Sequence, residues 1–185
     1  MQKIPYSQAV RPEHAHTLLT NTEFPGFDQD YYVIQCLLLE WRPQSVVEIG
    51  TSTGNGSRII RHCLPDARIT TVDIVECGHM CPPDVRRIVS DSMTFDFTTL
   101  YPVDCWFIDG EHSYRNVLKE SGEVVRSGAP YAIFHDADIP EVAAAIEDAF
   151  AGTGYGLFHV VGPGRVYSST GTDVTRVAYA KKSAP

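Results

Sequence analysis

The stretch SVVEIGTSTGNGS (residues 45–57) decides how this chain is read, because a β-branched run carrying an acid breaks into glycines. Val46, Val47 and Ile49 suit a strand buried on both faces, while Gly50, Gly54 and Gly56 permit positive φ and a close approach of backbone to a ligand. The pattern is that of a strand running into a nucleoside- or phosphate-sized turn. A helix beginning near Ser57 would aim its N-terminal amides at whatever lies over that turn. The segment ARITTVDI (67–74) then reads as a second strand ending at Asp73, where a carboxylate can accept hydrogen bonds from a ribose diol. Taken alone, the glycine segment could be a plain tight βα turn; Asp73 at this spacing favours the nucleotide reading.

Composition narrows the choices. A chain of 185 residues with 43% hydrophobic content fits one domain, with 1–26 as an irregular N-terminal arm rich in proline and 27–185 as the core. A net charge of -8 and a pI near 5.3 oppose a broad nucleic-acid face. The arginine pairs Arg58/Arg61 and Arg86/Arg87 read as solvated faces. MQKIPYSQAV (1–10) has no apolar signal segment and no window has the length of a membrane span, so a cytoplasmic location is expected. Five cysteines without CxxC spacing suit a reducing compartment. Cys36 and Cys105 fall in apolar runs, whereas Cys77, His79 and Cys81 crowd one loop; zinc there would need a fourth ligand, so free thiols are expected.

Periodicity gives the element order. Tyr31, Ile34, Leu37, Leu38 and Trp41 recur at helical spacing over 28–41, with Pro43 as a stop. After the strand at 45–50 come a helix near 55–63, a strand at 68–74, a loop at 75–84 and a short strand at 87–90. Apolar strands at 105–108 and 131–134 alternate with helices at 114–125 and 140–150, the latter opened by Pro140 with Glu141 in its first turn. Segments 155–161 and 174–181 predict an antiparallel pair. The fold class is therefore α/β, a doubly wound and mostly parallel seven-stranded sheet with an antiparallel C-terminal pair.

Ligands of such sheets lie beyond the carboxyl ends of the strands, and there the sequence sets Glu48, Asp73, Asp91, Asp109 and Asp136. Acids facing one edge repel unless cations or hydrogen-bond donors offset them. A nucleoside-bearing cofactor over the first three strands and a cation near the last two would do so. The competing reading is that Asp109 and Asp136 cap the helices that follow them.

The set VVEIGTSTGNGS, TVDI, SDS, WFIDGEHSY and IFHDAD, in this order and spacing, resembles class I S-adenosylmethionine-dependent methyltransferases, and within them the metal-dependent catechol-type and sugar O-methyltransferases, over residues 30–150. The resemblance implies a Rossmann-like methyltransferase fold and S-adenosyl-L-methionine as cofactor, held by Glu48, Gly50, Thr51, Gly54, Ser57, Asp73, Ile74, Asp91, Ser92 and Asp109. It further implies a divalent metal, Mg²⁺ or Mn²⁺, on Asp109, His135 and Asp136, and His112 as general base beside Asp109. Two departures stand out: Ala129-Pro130 replaces a glycine pair common before the fifth strand, and His135 stands where a carboxylate or amide is usual.

Adjacent strand residues face opposite ways, so His135 and Asp136 reach one ion only if the chain has left the strand by His135; otherwise Asp138 is the third ligand. The chemistry implied is attack of a small molecule's hydroxyl on the sulfonium methyl, a vicinal diol or catechol suiting the metal. Phe24 to Phe27 and the loops after Asp109 and Asp136 would build the acceptor pocket, the alternative being that these aromatics are a hydrophobic staple for the first helix. The chain has no length for a separate substrate domain, so the site is open or a second copy in a homo-oligomer covers it. Three other readings fit the residues: a metal-independent methyltransferase using His112, an NAD-binding oxidoreductase, and a cofactor-binding module without turnover.

Overall fold

The computed structural model describes residues 1–11, 13, 17–19, 29–76, 78–162 and 176–183. Eight strands form one sheet in the order β1-β7-β8-β6-β5-β2-β3-β4. In chain order the elements are β1 (Gln2–Pro5), α1 (Tyr6–Ala9), α2 (Gln29–Trp41), β2 (Ser45–Ile49), α3 (Asn55–Cys63), β3 (Arg68–Asp73) and β4 (Arg86–Val89). After a 3₁₀ turn at Phe97–Leu100 come β5 (Cys105–Ile108), α4 (Tyr114–Ser127), β6 (Tyr131–Phe134), α5 (Pro140–Phe150), β7 (Tyr155–Val161) and β8 (Ala178–Lys182). From β4 to β6 all neighbours are parallel, and β8 runs antiparallel to both β6 and β7.

The expected fold class holds, with one strand more than the seven anticipated. Gln2–Pro5, read as irregular, pairs in parallel with Phe158–Val161. Pro5 ends that strand at the sheet's outer edge, where a missing N–H costs no ladder bond, so proline was a weaker breaker than its identity suggested. Arg61 differs from its solvated reading as well: it donates to the carbonyls of Leu64, Pro65 and Ala67 and pairs with Asp84.

The period of two along each strand divides the core between the sheet's faces. Val47, Ile49, Trp106 and Ile108 pack toward α4 and α5, and Val46, Cys105 and Phe107 toward α2 and α3. Trp106, Phe107 and Phe134 are fully buried, each contributing about 1.5–3 kcal/mol of transfer free energy. The same alternation turns Glu48 onto the α3 face with Phe107, so this acid lies inside the protein rather than at a strand tip. Among the described residues no helix is long and apolar enough to cross a membrane.

Candidate active site

Beyond the carboxyl ends of β2, β3, β4 and β5 lies a cavity of about 420 Å³. Gly50, Asp73, Ile74, Asp91, Ser92 and Asp109 line it, six of the ten residues expected there, together with Gly110, Glu111, Asn116 and Glu120. Asp73 braces the turn: its Oδ2 accepts from the amides of Thr51 (2.8 Å) and Ser52 (3.0 Å), and its Oδ1 from Val75 (3.1 Å). The Gly50 N–H donates to the Val72 carbonyl at 2.9 Å, which sets the turn beside the acid. Ile74 is 66% exposed at the rim, an apolar face available to a flat ring.

Glu48, Thr51, Gly54 and Ser57 are placed differently, beneath or beside the turn; Thr51 lines a neighbouring groove and the other three line neither. Glu48 has no exposed surface, accepts from Ser57 Oγ, and packs its Oε1 against Gly56. Burial pushes its pKa up to about 7 against an ordinary 4.5. A carboxyl that holds its proton more tightly when folded stabilises the fold fully below the unfolded value, and that stabilisation is lost as pH rises to the folded value. The thermal midpoint of Glu48→Gln should therefore rise relative to wild type between about pH 5 and about pH 7.5. A difference that does not change with pH would show that Glu48 stays ionised in the interior.

Next to the cavity, β5 and β6 end side by side, Ile108 opposite Phe134, and the two tips carry the second set of groups. Asp109, His112 and Asp136 each offer one ligand atom, all within 4.8 Å of one another. Asp136 has φ +52°, so the chain has left the strand and folds back. This lets neighbouring residues meet: His135 Nδ1 lies 2.8 Å from Asp136 Oδ2 and 3.2 Å from Asp109 Oδ1. Arg176, just before β8, donates to Asp136 Oδ1 at 2.9 Å and to Asp30 Oδ2 of α2 at 2.9 Å. Tyr31 stacks on His135 with ring centroids 5.9 Å apart.

Neither tip acid caps a helix. The α4 cap is Ser113, which accepts from the Asn116 amide at 3.4 Å, and the α5 cap is Ile139. Burial lowers the proton affinity of His135, but the Asp109 and Asp136 carboxylates outweigh it and hold the imidazole up to about 10. Burial alone would raise Asp136; His112, His135 and Arg176 overcome it and keep the carboxyl well below the usual range. Asp136 in turn raises His112. His112 Nε2 lies 3.1 Å from Asp136 Oδ2 but off the line of a hydrogen bond, and it has no hydrogen-bond partner among the described residues.

Asp138, the alternative third ligand, is not among the residues gathered here. Phe24 to Phe27 and Cys77 lie outside the described residues, so the acceptor-pocket and thiol-loop readings that rest on them do too. Sequence reasoning missed Arg176, Asp30 and Glu120. Glu120 had a usable signal: it shares the helical stripe of Val117, Ser121 and Val124, all buried, where an acid is out of place.

No protein-family model matches the chain, and no curated protein matches it. Solved structures do. Cofactor-bound Rv0187 from MTB is 20% identical, covering 83% of this chain and 78% of its own, with a TM-score of 0.62. The O-methyltransferase from Bacillus cereus in complex with SAH is 15% identical over 96% of this chain and 90% of its own, TM-score 0.63. The MycE methyltransferase of the mycinamycin biosynthetic pathway, in complex with Mg, SAH and mycinamycin VI, is 18% identical over 80% of this chain and 48% of its own, TM-score 0.59. At such identities the likeness is one of fold: the chain has the Rossmann-like methyltransferase fold, as expected.

Proposed function

We propose that this chain is an S-adenosylmethionine-dependent O-methyltransferase acting on a hydroxyl of a small molecule. The observation that carries the reading is the double position of Asp109, which lines the nucleoside-sized cavity and also belongs to the cluster with His112 and Asp136. A methyl donor seated in the cavity ends beside a group able to take a proton. Fold relatives determined with SAH, one of them also with Mg, support this reading.

In the reaction the acceptor oxygen forms a bond to the methyl carbon, the carbon–sulfur bond breaks with its electron pair left on sulfur, and the hydroxyl proton passes to His112 Nε2. Asp73 takes the ribose hydroxyls, and Ile74 with Val72 flanks the base. Asp136, held by Arg176 and His135, fixes and charges the surroundings of His112 so that its imidazole is a better proton acceptor. Alignment and exclusion of water supply the remaining acceleration.

The donor set fits a divalent cation. Oxygens about 2.0–2.1 Å from Mg²⁺ stand roughly 3–4 Å apart, so ligand atoms within 4.8 Å close on an ion by small side-chain adjustments. Asp109 and Asp136 would hold it, with His112 at the edge, and two carboxylates favour Mg²⁺ or Mn²⁺. When bound, such an ion lowers the pKa of an acceptor hydroxyl and orients a neighbouring oxygen. His135, pinned between both carboxylates and carrying its proton, is their hydrogen-bond donor in this proposal rather than a ligand. One observation favours the metal-independent variant: Arg176 and His135 already neutralise Asp136 from within the protein.

Calorimetric titration of S-adenosylhomocysteine should give micromolar binding, weakened by about 30-fold or more in Asp73→Ala. Absence of binding to wild type would sink the methyltransferase reading. Activity abolished by chelator and restored by Mn²⁺ would support the cation; indifference to chelator would leave His112 and the internal counter-charges to do the work.

A further inference from the structure

We propose that Glu120 reads the purine of the cofactor, its unpaired carboxyl oxygen accepting the exocyclic amine, so that the chain selects a 6-amino over a 6-oxo nucleoside. This rests on the functional reading above and assigns a role to a residue outside it.

Glu120 is 1% exposed, yet it lines the cavity. Its Oε1 accepts from Ser92 Oγ at 2.6 Å, whereas Oε2 is buried with no hydrogen-bond partner. Five carboxylates line the cavity, those of Asp73, Asp91, Asp109, Glu111 and Glu120. Of these, only Glu120 has a buried oxygen without a hydrogen-bond partner among the described residues. A buried acceptor left unpaired is costly, and a ligand that brings an N–H relieves the cost.

The surroundings specify the ligand group. Ile49, Val72 and Ile74 give the cavity flat apolar walls, and Glu120 lies between Ser92, after β4, and Gly110, after β5. Lys119 Nζ donates to the Ser92 carbonyl at 2.5 Å, so the loop facing Glu120 is held from two adjacent α4 residues. A rigid acceptor beside apolar walls matches the edge of a heteroaromatic ring bearing an amine. Burial pushes the Glu120 pKa up to about 7, and an N–H brought by the ligand offsets that cost to the ionised, accepting form. A 6-oxo purine places an acceptor where the amine was and sets oxygen against oxygen.

The test compares S-adenosyl-L-homocysteine with S-inosyl-L-homocysteine, its 6-oxo counterpart, by calorimetry. Wild type should prefer the amino form by about 30-fold or more, since a site built around a hydrogen bond rejects a ligand lacking it. In Glu120→Gln the preference should shrink to within about threefold, because the amide can donate to the 6-oxo group. A preference unchanged in Glu120→Gln, with circular dichroism like wild type, would overturn the role. A second readout needs no mutation: the 6-unsubstituted purine analogue should bind wild type about tenfold more weakly than the amino form, and equal affinity would overturn the role. If wild type binds none of the three, the functional reading itself fails; if it binds all three alike, only the Glu120 assignment does.

Discussion

Asp136→Asn is expected to slow methyl transfer by about 10²- to 10⁴-fold while leaving the affinity for S-adenosylhomocysteine within about threefold of wild type. Asparagine keeps the side chain's shape and tolerates the φ of +52° that this position requires. What it removes is the charge that raises His112, faces His135 and receives Arg176. The residue does not line the cavity proposed for the cofactor, so binding and chemistry should separate. Initial rates with an acceptor found by screening catechols and sugars, set beside calorimetry, would check this. Equal losses in rate and affinity would mean that Asp136 supports the fold of the site and has no specific part in the chemistry.

Gly50→Ala should be the most destructive single change, costing about 4 kcal/mol or more of stability. At φ +94° a Cβ would stand 2.1 Å from the Asp109 carbonyl oxygen, 2.5 Å from its carbon and 2.8 Å from Gly110 Cα. All three are backbone atoms at the end of a central strand, so none can swing aside. With native stability typically about 5–15 kcal/mol, at least about a quarter of the margin would go, and cofactor binding with it. Gly122, inside α4 with open space at its Cβ, is the control: Gly122→Ala should stabilise by about 0.5–1 kcal/mol. Thermal midpoints of the two variants, measured together, separate a steric cause at residue 50 from a general cost of losing glycine.

The sheet was legible because its signals are local. Val46 to Gly54 and Arg68 to Asp73 each carry period, turn and tip within a dozen residues, and their neighbours in space follow from the βαβ rule. The cavity's rim was legible for the same reason, since strand-tip residues are counted from strand ends. The counter-charges were not. Asp30 and Arg176 are 146 residues apart in sequence, and nothing near either points to the other or to Asp136. Glu48 was misplaced as a tip acid although the alternation of its own strand turns it inward toward Ser57. The resemblance implied His135 as a ligand; what the sequence did not show is that the back-folded Asp136 brings two carboxylates to its Nδ1. At the other end, Pro5 hid a strand because its edge position cannot be read without knowing what lies outside it.

The strand order has a consequence for how the chain reaches its fold. Among the described residues β1 and β7 join the remaining sheet through β8, which comes after both in sequence. During synthesis the five parallel strands from β4 to β6 can assemble while β6 still presents a bare edge, and β1, though made first, has no route to that platform until Ala178–Lys182 slots in. Completion of the sheet is thus a late, long-range event of the kind that slows folding and exposes intermediates. Arg176 lies two residues before that closing strand, so the guanidinium that neutralises Asp136 arrives with it. Assembly of the scaffold and neutralisation of the Asp136 cluster are therefore one step, and a nascent chain lacking β8 would lack that counter-charge as well as the finished sheet.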